Sequence, residues 1–292
     1  MNNTVPILLY HSVSPYATPR FRRWVMPPER FAEQMAYLRA NGYTPLTVTA
    51  LARAMTQPAA ALPDRPVVVT FDDAFADFYI YAMPVLQDVG IVATVYVPTA
   101  FVGGTGRWLE GLGEGQRPIL TWTQLGELRM CGIECGSHGH THRQLDALPR
   151  MDAMNEIALS TALLQEQLGE PVLTFAYPFG YYGQAVHRMV EEAGYLSACG
   201  VKHALSALHD DRFALARIII DSDIDIPHFA SLLAGEGLRV APKGTSIQTR
   251  GWRILRRSRA SAGRVMQLIL RRSRASATHL ALPKAAARTD RG

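Results

Sequence analysis

Apolar and polar positions follow two alternating patterns along the chain up to about residue 240. Short apolar runs such as VPILLYH, PVVVTF and IVATVYV have the composition of buried strands. Amphipathic stretches with helical periodicity lie between them, and four of these end in LRANGY, LQDVGI, RMCGI and EEAGY, where a glycine C-cap is expected at Gly42, Gly90, Gly132 and Gly194. This order predicts βα units and a mainly parallel sheet.

The number of these units indicates the topology. About six to eight βα units favour a barrel or distorted barrel over an open doubly wound sheet. No strand is followed by GxGxxG or a P-loop, so a nucleotide-binding function has little support. Parallel barrels carry their chemistry in the loops after the strands. This rule selects five loops, which contain Tyr10–His11, Asp72–Asp73, Ser137–His142, Tyr177–Gly180 and His203.

Two of these loops carry side chains typical of a metal site. Asp72 and Asp73 are adjacent in TFDDAFAD, and neighbouring carboxylates repel unless a cation or a shared proton lies between them. In SHGHTH, His138 and His142 are four apart, a spacing that would bring both imidazoles to one face of a helical turn. Two imidazoles and one carboxylate suit Zn²⁺ and leave positions open for water and substrate. The pattern therefore predicts a catalytic metal centre.

The same segments resemble a known family. TFDDAFADFYIYAMPVL and GSHGHTHRQL are similar to the first and second motifs of the polysaccharide deacetylases with a NodB-type domain, carbohydrate esterase family four. FAYPFG resembles the third motif of the branch that includes biofilm poly-N-acetylglucosamine deacetylases, and PILLYHSVS with ERFAEQMAYLRANGY resembles the N-terminal block of that branch. The resemblance extends over residues 5–237 and implies an α/β fold, the distorted (β/α)7 barrel of the family.

The resemblance also implies roles for individual residues. Asp72 would be the catalytic base, while Asp73, His138 and His142 would bind the divalent metal ion, expected to be Zn²⁺. The backbone amide of Phe179 would contribute to the oxyanion hole. The implied reaction is metal-dependent removal of N-acetyl groups from an amino-sugar polysaccharide or its precursor, with a carbohydrate of the N-acetylglucosamine type as substrate.

Further positions complete the predicted site. The family uses a late histidine as general acid, and His203 is the nearest match, with His11, His209 and His228 as alternatives. His11 follows a predicted strand and is expected to line the substrate pocket. Tyr177, in the third motif, is expected to contact the oxyanion or the substrate.

Two positions depart from the family pattern. Ala74 follows the aspartate pair where the family usually has glycine, and its Cβ would be strained if φ is positive. Ala176 occupies a position where many members have an arginine that pairs with the catalytic base, although the poly-N-acetylglucosamine branch has the same Ala-Tyr-Pro form. These departures leave open a catalytically impaired carbohydrate-binding protein. The superfamily also allows a hydrolase of small amides.

Charge divides the chain into a predicted catalytic domain, residues 1–249, and a basic tail, residues 250–292. The tail has twelve Lys/Arg and one acidic residue, which leaves 18 basic and 24 acidic residues before it. The net-negative body argues against nucleic acid as a ligand. ILRRSRASA occurs twice in the tail, at residues 254–262 and 269–277. We expect either a disordered low-complexity extension or a basic interfacial helix that binds an anionic membrane surface.

The remaining features concern the compartment. Cys131, Cys135 and Cys199 match the spacing of neither a disulfide framework nor a zinc knuckle, so buried thiols are expected. The N-terminal residues do not have the pattern of a signal peptide, and no stretch reaches the ~18 apolar residues of a membrane span. These features predict a cytoplasmic protein, with the tail as its one candidate for peripheral membrane contact. The sequence makes no prediction of oligomeric state.

Overall fold

The computed structural model describes residues 4–57 and 62–241, together with Arg256. The chain divides into two units, Met1–Gly244 and Thr245–Gly292. Both copies of the basic repeat lie outside the described residues, apart from Arg256. The two expectations for the tail therefore stay predictions.

Strands and helices alternate, as the sequence predicts. The strands are β1 Thr4–Val5, β2 Ile7–Tyr10, β3 Ser12–Val13, β4 Val25–Met26, β5 Thr44–Leu46, β6 Pro66–Phe71, β7 Thr94–Val97, β8 Glu134–Ser137, β9 Thr174–Ala176, β10 Ser197–Cys199, β11 Ser206–Ala207 and β12 Ile218–Ile219. The α-helices are α1 Pro28–Ala40, α2 Val48–Thr56, α3 Met83–Val89, α4 Trp122–Met130, α5 Arg150–Leu168, α6 Gln184–Glu192 and α7 Ile226–Ala234.

The described strands form one main parallel sheet. Seven of them follow each other in the order β10-β9-β8-β7-β6-β2-β12, and β5 pairs with the start of β6. The sheet curls into a half-barrel with helices outside it, which confirms the predicted α/β class and agrees with the distorted (β/α)7 barrel. Because all the strands of the sheet are parallel, their carboxyl ends meet at one edge, and the loops selected from the sequence lie together there.

A single segment, residues 215–219, connects the two ends of this sheet, because it contains β12 and also pairs with β10. Leu215 forms a parallel bridge with Cys199 at the end of β10, and three residues later β12 pairs with β2. Arg217 lies between these two pairings, and its side chain is fully buried. The segment therefore carries a cationic side chain into the interior of the barrel.

Strand β6 shows how the alternation of side chains directs the site. Val67, Val69 and Phe71 pack in the larger core cluster, which includes residues of the surrounding helices, whereas Val68 packs in a second cluster formed mainly by other strands. Thr70 and Asp72 continue the series of Val68 because successive side chains in a strand point to opposite faces. The backbone N–H of Asp72 donates to Tyr10 O at 3.0 Å, so the ladder extends one residue past β6.

The four glycines predicted as helix ends all have the expected backbone conformation. Gly42, Gly90, Gly132 and Gly194 have φ of 69°, 70°, 81° and 91°, in the left-handed region where glycine is not strained. Gly90 directly follows the last residue of its helix, and the other three glycines follow the C-cap residue. The helix boundaries read from the sequence are confirmed at these positions.

Two of the three cysteines are buried and one is exposed. Cys135 and Cys199 are buried free thiols, as expected, but Cys131 is exposed. Cys131 caps the C-terminus of α4 and accepts a hydrogen bond from Gln87 Nε2 at 3.1 Å on the protein surface.

Within residues 4–57 and 62–241, no helix combines the length and the apolar composition needed to cross a bilayer.

Candidate active site and metal centre

The aspartate pair lies in a strained turn directly after β6. Asp73 has φ 72° and Ala74 has φ 51°, so two consecutive residues without glycine adopt the left-handed conformation. Asp tolerates this region better than Ala does. The positive φ expected to strain Ala74 is therefore present. The turn gives the two adjacent carboxylates separate surroundings.

Asp72 is paired with a buried arginine. Arg217 Nη1 donates to Asp72 Oδ1 at 2.6 Å, and Nη2 donates to Oδ2 at 2.7 Å. The guanidinium is fixed further by Nε, which donates to Gly200 O at 3.0 Å. Burial alone would raise the pKa of Asp72, but the guanidinium outweighs it and holds the pKa well below the usual range. Asp72 is therefore an oriented and ionised carboxylate.

Sequence reasoning did not find Arg217. It supplies the cationic partner of Asp72, the predicted base, that Ala176 cannot provide, and it comes from a segment 41 residues further along the chain. One signal was available: a single arginine interrupts the apolar run in ALARIII, and arginine is rarely buried unless it is paired.

Asp73, His138 and His142 form a second cluster. The three side chains are buried, and one potential ligand atom from each lies within 4.8 Å of the others. Asp73 Oδ1 is 3.1 Å from His142 Nε2 and 3.7 Å from His138 Nε2. These contacts lack hydrogen-bond geometry, and Asp73 Oδ1 accepts no hydrogen bond from any residue that the structure describes. Such a buried, unpaired oxygen is costly unless a cation satisfies it.

The tautomer of His138 fits a metal ligand. Its Nδ1 is 2.8 Å from Ala176 O, and because a carbonyl only accepts, Nδ1 carries the proton and leaves the lone pair on Nε2. Burial lowers the pKa of His138 to about 4, so the ring is neutral at pH 7. A carboxylate and two imidazoles with free ligand atoms match the donor set of Zn²⁺. The residues present therefore fit a divalent metal ion.

The histidine motif does not form the helical turn that its spacing suggested. Residues 138–142 are a loop after β8, in which Gly139 has φ 73° and His142 has φ 52°. The backbone N–H of His140 donates to a side chain of α5, Glu156, instead of to a carbonyl of a helical turn. The loop still brings the rings of His138 and His142 to a centroid distance of 4.9 Å.

Phe179 and Tyr177 lie in opposite environments on the loop after β9. Phe179 has φ 60° and is 46% exposed, and its ring centroid is 4.6 Å from that of His142. Tyr177 is fully buried: its hydroxyl donates to Phe213 O at 3.0 Å and its backbone N–H donates to Cys199 O at 3.0 Å. Both hydrogens that Tyr177 could donate are thus used within the protein, whereas Phe179 faces the candidate centre.

The two candidate acids also differ in position. His11 is half-buried, and its ring centroid is 4.9 Å from that of Trp24. Burial lowers the pKa of His11, and the charges of Asp73 and Asp72 act in the opposite direction. His203 is exposed, and its Nδ1 accepts the backbone N–H of Ile219 at 3.2 Å. Among the predicted acids, His11 therefore lies within electrostatic range of the aspartate pair.

Aromatic side chains form one wall of the site. The ring of Trp108 is 4.7 Å from that of His142 and also contacts Phe101 at 4.7 Å. The indole Nε1 of Trp108 is buried and has no hydrogen-bond partner among the described residues. Trp108 comes from the long segment between β7 and α4, so this segment covers His142.

A buried ion-pair cluster connects three loops around the site. Asp77 Oδ2 accepts hydrogen bonds from Ser12 Oγ at 2.6 Å and from Arg117 Nη1 at 2.8 Å. Arg117 also pairs with Glu114 at 3.0 Å. Burial raises the pKa of Asp77 to about 6. The cluster fixes Ser12, and with it the neighbouring His11, against the loop that carries the aspartate pair.

Comparison with known proteins agrees with this geometry. The family model described as "Polysaccharide deacetylase" matches residues 59–198, which include both aspartates and both histidines of the site. A candidate polysaccharide deacetylase of Bacillus subtilis (strain 168), YxkH, is 28% identical over 214 residues, which cover 73% of this chain and 70% of that protein. The poly-β-1,6-N-acetyl-D-glucosamine N-deacetylase of Escherichia coli (strain K12) is 42% identical over 55 residues, 19% of this chain and 8% of that protein.

A solved structure supports the fold over most of the chain. The Streptococcus pyogenes deacetylase PplD, solved in complex with acetate, superposes with a TM-score of 0.69 at 23% identity. The match covers 80% of this chain and 98% of PplD. The family model and the sequence motifs coincide in residues 59–198, so the chain contains a polysaccharide deacetylase domain of the NodB type.

Proposed function

We propose that this chain is a metal-dependent hydrolase that removes N-acetyl groups from an amino-sugar polysaccharide or its precursor. One observation carries the proposal: Asp72 has both oxygens paired with Arg217, whereas the adjacent Asp73 faces two histidines with an unpaired oxygen. A cation among Asp73 and the two imidazoles would satisfy the second carboxylate and leave the first available for proton transfer.

Asp73, His138 and His142 would hold the ion, and their donor set favours Zn²⁺. When bound, such an ion polarises a carbonyl and lowers the pKa of water. Asp72 acts beside the centre as general base. Its Oδ2 is 3.8 Å from His138 Nε2, so this oxygen faces the ligand cluster. We assign the proton of the attacking water to Asp72 Oδ2.

Arg217 makes Asp72 a weak base but an oriented one. A base is most effective when its pKa lies near the working pH, and the guanidinium moves the pKa of Asp72 in the other direction. The bidentate pair fixes both carboxylate oxygens, so the cost in basicity is offset by position. Arg217 is thus a positioning residue. Because it pairs with Asp72, the alanine at position 176 is no longer a reason to expect a poorly oriented base.

Two further residues complete the proposed reaction. We assign protonation of the leaving amine to His11 in place of His203, because His11 is coupled to the aspartate pair and the ring of His203 already accepts a hydrogen bond. The backbone N–H of Phe179 would stabilise the oxyanion, as the family motif implies. Acetate and a free amino sugar result.

The substrate class rests on the similarity to the poly-β-1,6-N-acetyl-D-glucosamine N-deacetylase and on the exposed ring beside the centre. The 55-residue match to that protein covers a small part of its length, so it supports the reaction type more than the linkage. Phe179 is 46% exposed, and its ring offers an apolar face to a sugar.

Acetate release tests the proposal. The protein, loaded with Zn²⁺, is incubated with β-1,6-linked and β-1,4-linked N-acetylglucosamine oligomers, with polymer and with small amides as competitors. We expect acetate from at least one sugar substrate and loss of activity with a chelator. His138→Gln and His142→Gln should lose both metal and activity. His187→Gln is the matched control, since His187 lies on α6, where it pairs with Asp211 outside the cluster of the two histidines and Asp73, and should retain both.

Three outcomes would contradict parts of the proposal. Metal-loaded protein that is inert on oligomers, polymer and precursor sugars would overturn the reaction. Competition by small amides stronger than that by sugar oligomers would move the substrate away from carbohydrate. The acid assignment has its own test in the pH profile: His11→Gln should lose the limb at high pH and His203→Gln should keep it, and the reverse result would restore His203.

A further inference from the structure

The segment between the two histidines is hydrogen-bonded from two sides. On one side, the carbonyls of Gly139 and His140 accept the backbone N–H groups of Thr99 and Ala100 at 3.3 and 2.9 Å. Thr99 Oγ1 also lies 2.9 Å from His140 Nδ1. These contacts attach the segment to the short helical turn after β7, but they leave the N–H groups on its other side to be satisfied elsewhere.

A single carboxylate satisfies those N–H groups. Glu156 Oε2 accepts the backbone N–H of His140 at 3.0 Å and that of Thr141 at 2.6 Å. Glu156 Oε1 accepts the hydroxyl of Thr141. The side chain is 7% exposed, so these bonds form away from water, where charge-assisted hydrogen bonds are strong.

The helix that carries Glu156 contacts the loop at a second point. Ser160 lies four residues after Glu156, on the same face of α5, and its Oγ is 2.7 Å from Ser137 Oγ. Ser137 is the residue before the ligand His138, and its Oγ also accepts the N–H of Gly139 at 3.3 Å. Both Glu156 and Ser160 are buried on a face where a helix normally has apolar residues. Their polar atoms are directed at the histidine loop.

We propose that Glu156 is a positioning residue that sets the metal affinity of the site by holding residues 139–141, and with them His138 and His142, in the ligand geometry. The inference rests on the proposed function, because it requires that the histidines bind a metal ion. His142 has φ 52°, a conformation that the chain does not adopt without support. The carboxylate supplies that support through the two N–H groups just before it.

The expected loss of metal affinity can be judged from other metalloproteins, in which residues that hydrogen-bond to the metal ligands have been replaced. Removing such a partner costs roughly 10–100-fold in metal affinity. Glu156→Gln keeps the size of the side chain but removes the negative charge from the acceptor of the two N–H groups, and its NH2 group can only donate to the Thr141 hydroxyl, which now has to accept. We therefore expect the dissociation constant for Zn²⁺ to rise about 10–100-fold. Thr141→Val removes one hydrogen bond of the same carboxylate without a change of charge, and we expect a smaller rise of the same sign.

The experiment measures Zn²⁺ affinity by competition with a chromophoric chelator and ligand geometry by the visible absorption of the Co²⁺-loaded protein. Glu166→Gln is the matched control, because Glu166 is an exposed glutamate on the same helix and its replacement changes the charge equally. We expect wild-type affinity and spectrum for Glu166→Gln, and weaker binding with an altered Co²⁺ spectrum for Glu156→Gln. Circular dichroism establishes that each variant is folded.

The outcomes separate this inference from the proposed function. If wild-type protein binds no divalent ion, the proposed function fails and the inference fails with it. If wild type binds Zn²⁺ and both Glu156→Gln and Thr141→Val bind it with unchanged affinity, only the role of Glu156 is overturned. Weaker binding by Glu166→Gln of the same size would reduce the effect to net charge. Should Glu156→Gln not fold, Thr141→Val alone decides, through the same two measurements.

Discussion

The two halves of the candidate site are built on adjacent residues but reach electrostatic balance differently. On the arginine side, Asp72 is paired through both oxygens with Arg217, and the pair is complete within the protein. On the histidine side, Asp73 faces His138 and His142 with an oxygen that accepts no hydrogen bond from the described residues. The charge of Asp72 is thus balanced within the folded protein, whereas Asp73 needs a further positive charge.

This difference is the basis of the roles that we propose for the two carboxylates. A carboxylate that already has a fixed cation on one edge remains ionised and stays in place when substrate enters. A carboxylate that faces two histidines with an oxygen lacking a hydrogen bond from the described residues is arranged as a ligand. The sequence shows two identical side chains in a row, and only their partners distinguish the base from the ligand.

The largest expected effect is on stability when the arginine side is disrupted. Arg217→Met removes one partner of a fully buried ion pair and leaves Asp72 unpaired, so we expect a loss of about 3–5 kcal/mol in the free energy of unfolding. Chemical denaturation in the presence of a chelator measures it without a contribution from metal binding.

The double variant Asp72→Leu/Arg217→Met is the control for this prediction. It removes both charges, and apolar replacement of a buried pair is often neutral or stabilising. We expect the double variant to regain most of the stability lost by Arg217→Met. If Arg217→Met alone is as stable as wild type, the pair contributes nothing that the fold requires, and the contrast between the two sides is wrong.

The second prediction concerns pH and the histidine side. Burial lowers the pKa of His138 to about 4, from an ordinary value near 6.5 in the unfolded chain. The unfolded state therefore binds the proton first. Stability of the metal-free protein should fall as the pH drops from 6.5 towards 4, by on the order of 3 kcal/mol. The arginine side should not contribute, because the pKa of Asp72 stays below this range.

A difference measurement isolates His138. Asp77 acts with the opposite sign, since burial raises its pKa to about 6 and its contribution to stability is lost as the pH rises through that value. Both wild type and His138→Gln contain Asp77, so its effect cancels between them. We expect the difference in unfolding free energy to shrink as the pH falls below 6.5. A constant difference between pH 7 and pH 4 would show that His138 is not held neutral by the fold.

The third prediction separates metal stabilisation from folding. In the presence of a chelator, Asp73→Asn should change the stability little, because burial disfavours the charge of Asp73 but the neighbouring His142 offsets this and lowers the pKa of the carboxyl. With Zn²⁺ at about 100 times its dissociation constant, wild type should gain roughly 2.7 kcal/mol and the variant should gain none. An equal gain in both proteins would place the metal elsewhere.

Local patterns in the sequence were sufficient for the elements and for one side of the site. The glycine C-caps mark where helices end, the apolar runs mark where strands end, and the parallel sheet then brings the aspartate pair close to His138 and His142 without any knowledge of long-range packing. The family resemblance, and not the local pattern, predicted Asp73 as the ligand of the pair. Within the histidine motif the spacing was a poor guide. The loop is shaped by Glu156 on a helix further along the chain, so the predicted helical turn was wrong.

The arginine side could not be predicted because its partners meet only through tertiary structure. Arg217 follows Asp72 by 145 residues and reaches it only when residues 215–219 pair with both β10 and β2. Neighbouring residues can also differ in ways that a motif does not record. Tyr177 is buried in the core, while Phe179 is 46% exposed and contacts His142, although both belong to the same short motif.

The smallest expected effect is at the turn that both sides share. Ala74 has φ 51°, which costs a non-glycine residue about 1–2 kcal/mol, while glycine would lose the contacts of one buried methyl group and add freedom to the unfolded chain. The balance favours Ala74→Gly by about 0.5–1 kcal/mol. Ala76→Gly, two residues later at a position without positive φ, is the control and should destabilise the protein. Chemical denaturation measures the sign of the stability change in both variants. Acetate release is a second readout: if strain at Ala74 displaces Asp72 and Asp73, Ala74→Gly should also release acetate faster. A site that is inactive for another reason should stay inactive although the variant is more stable.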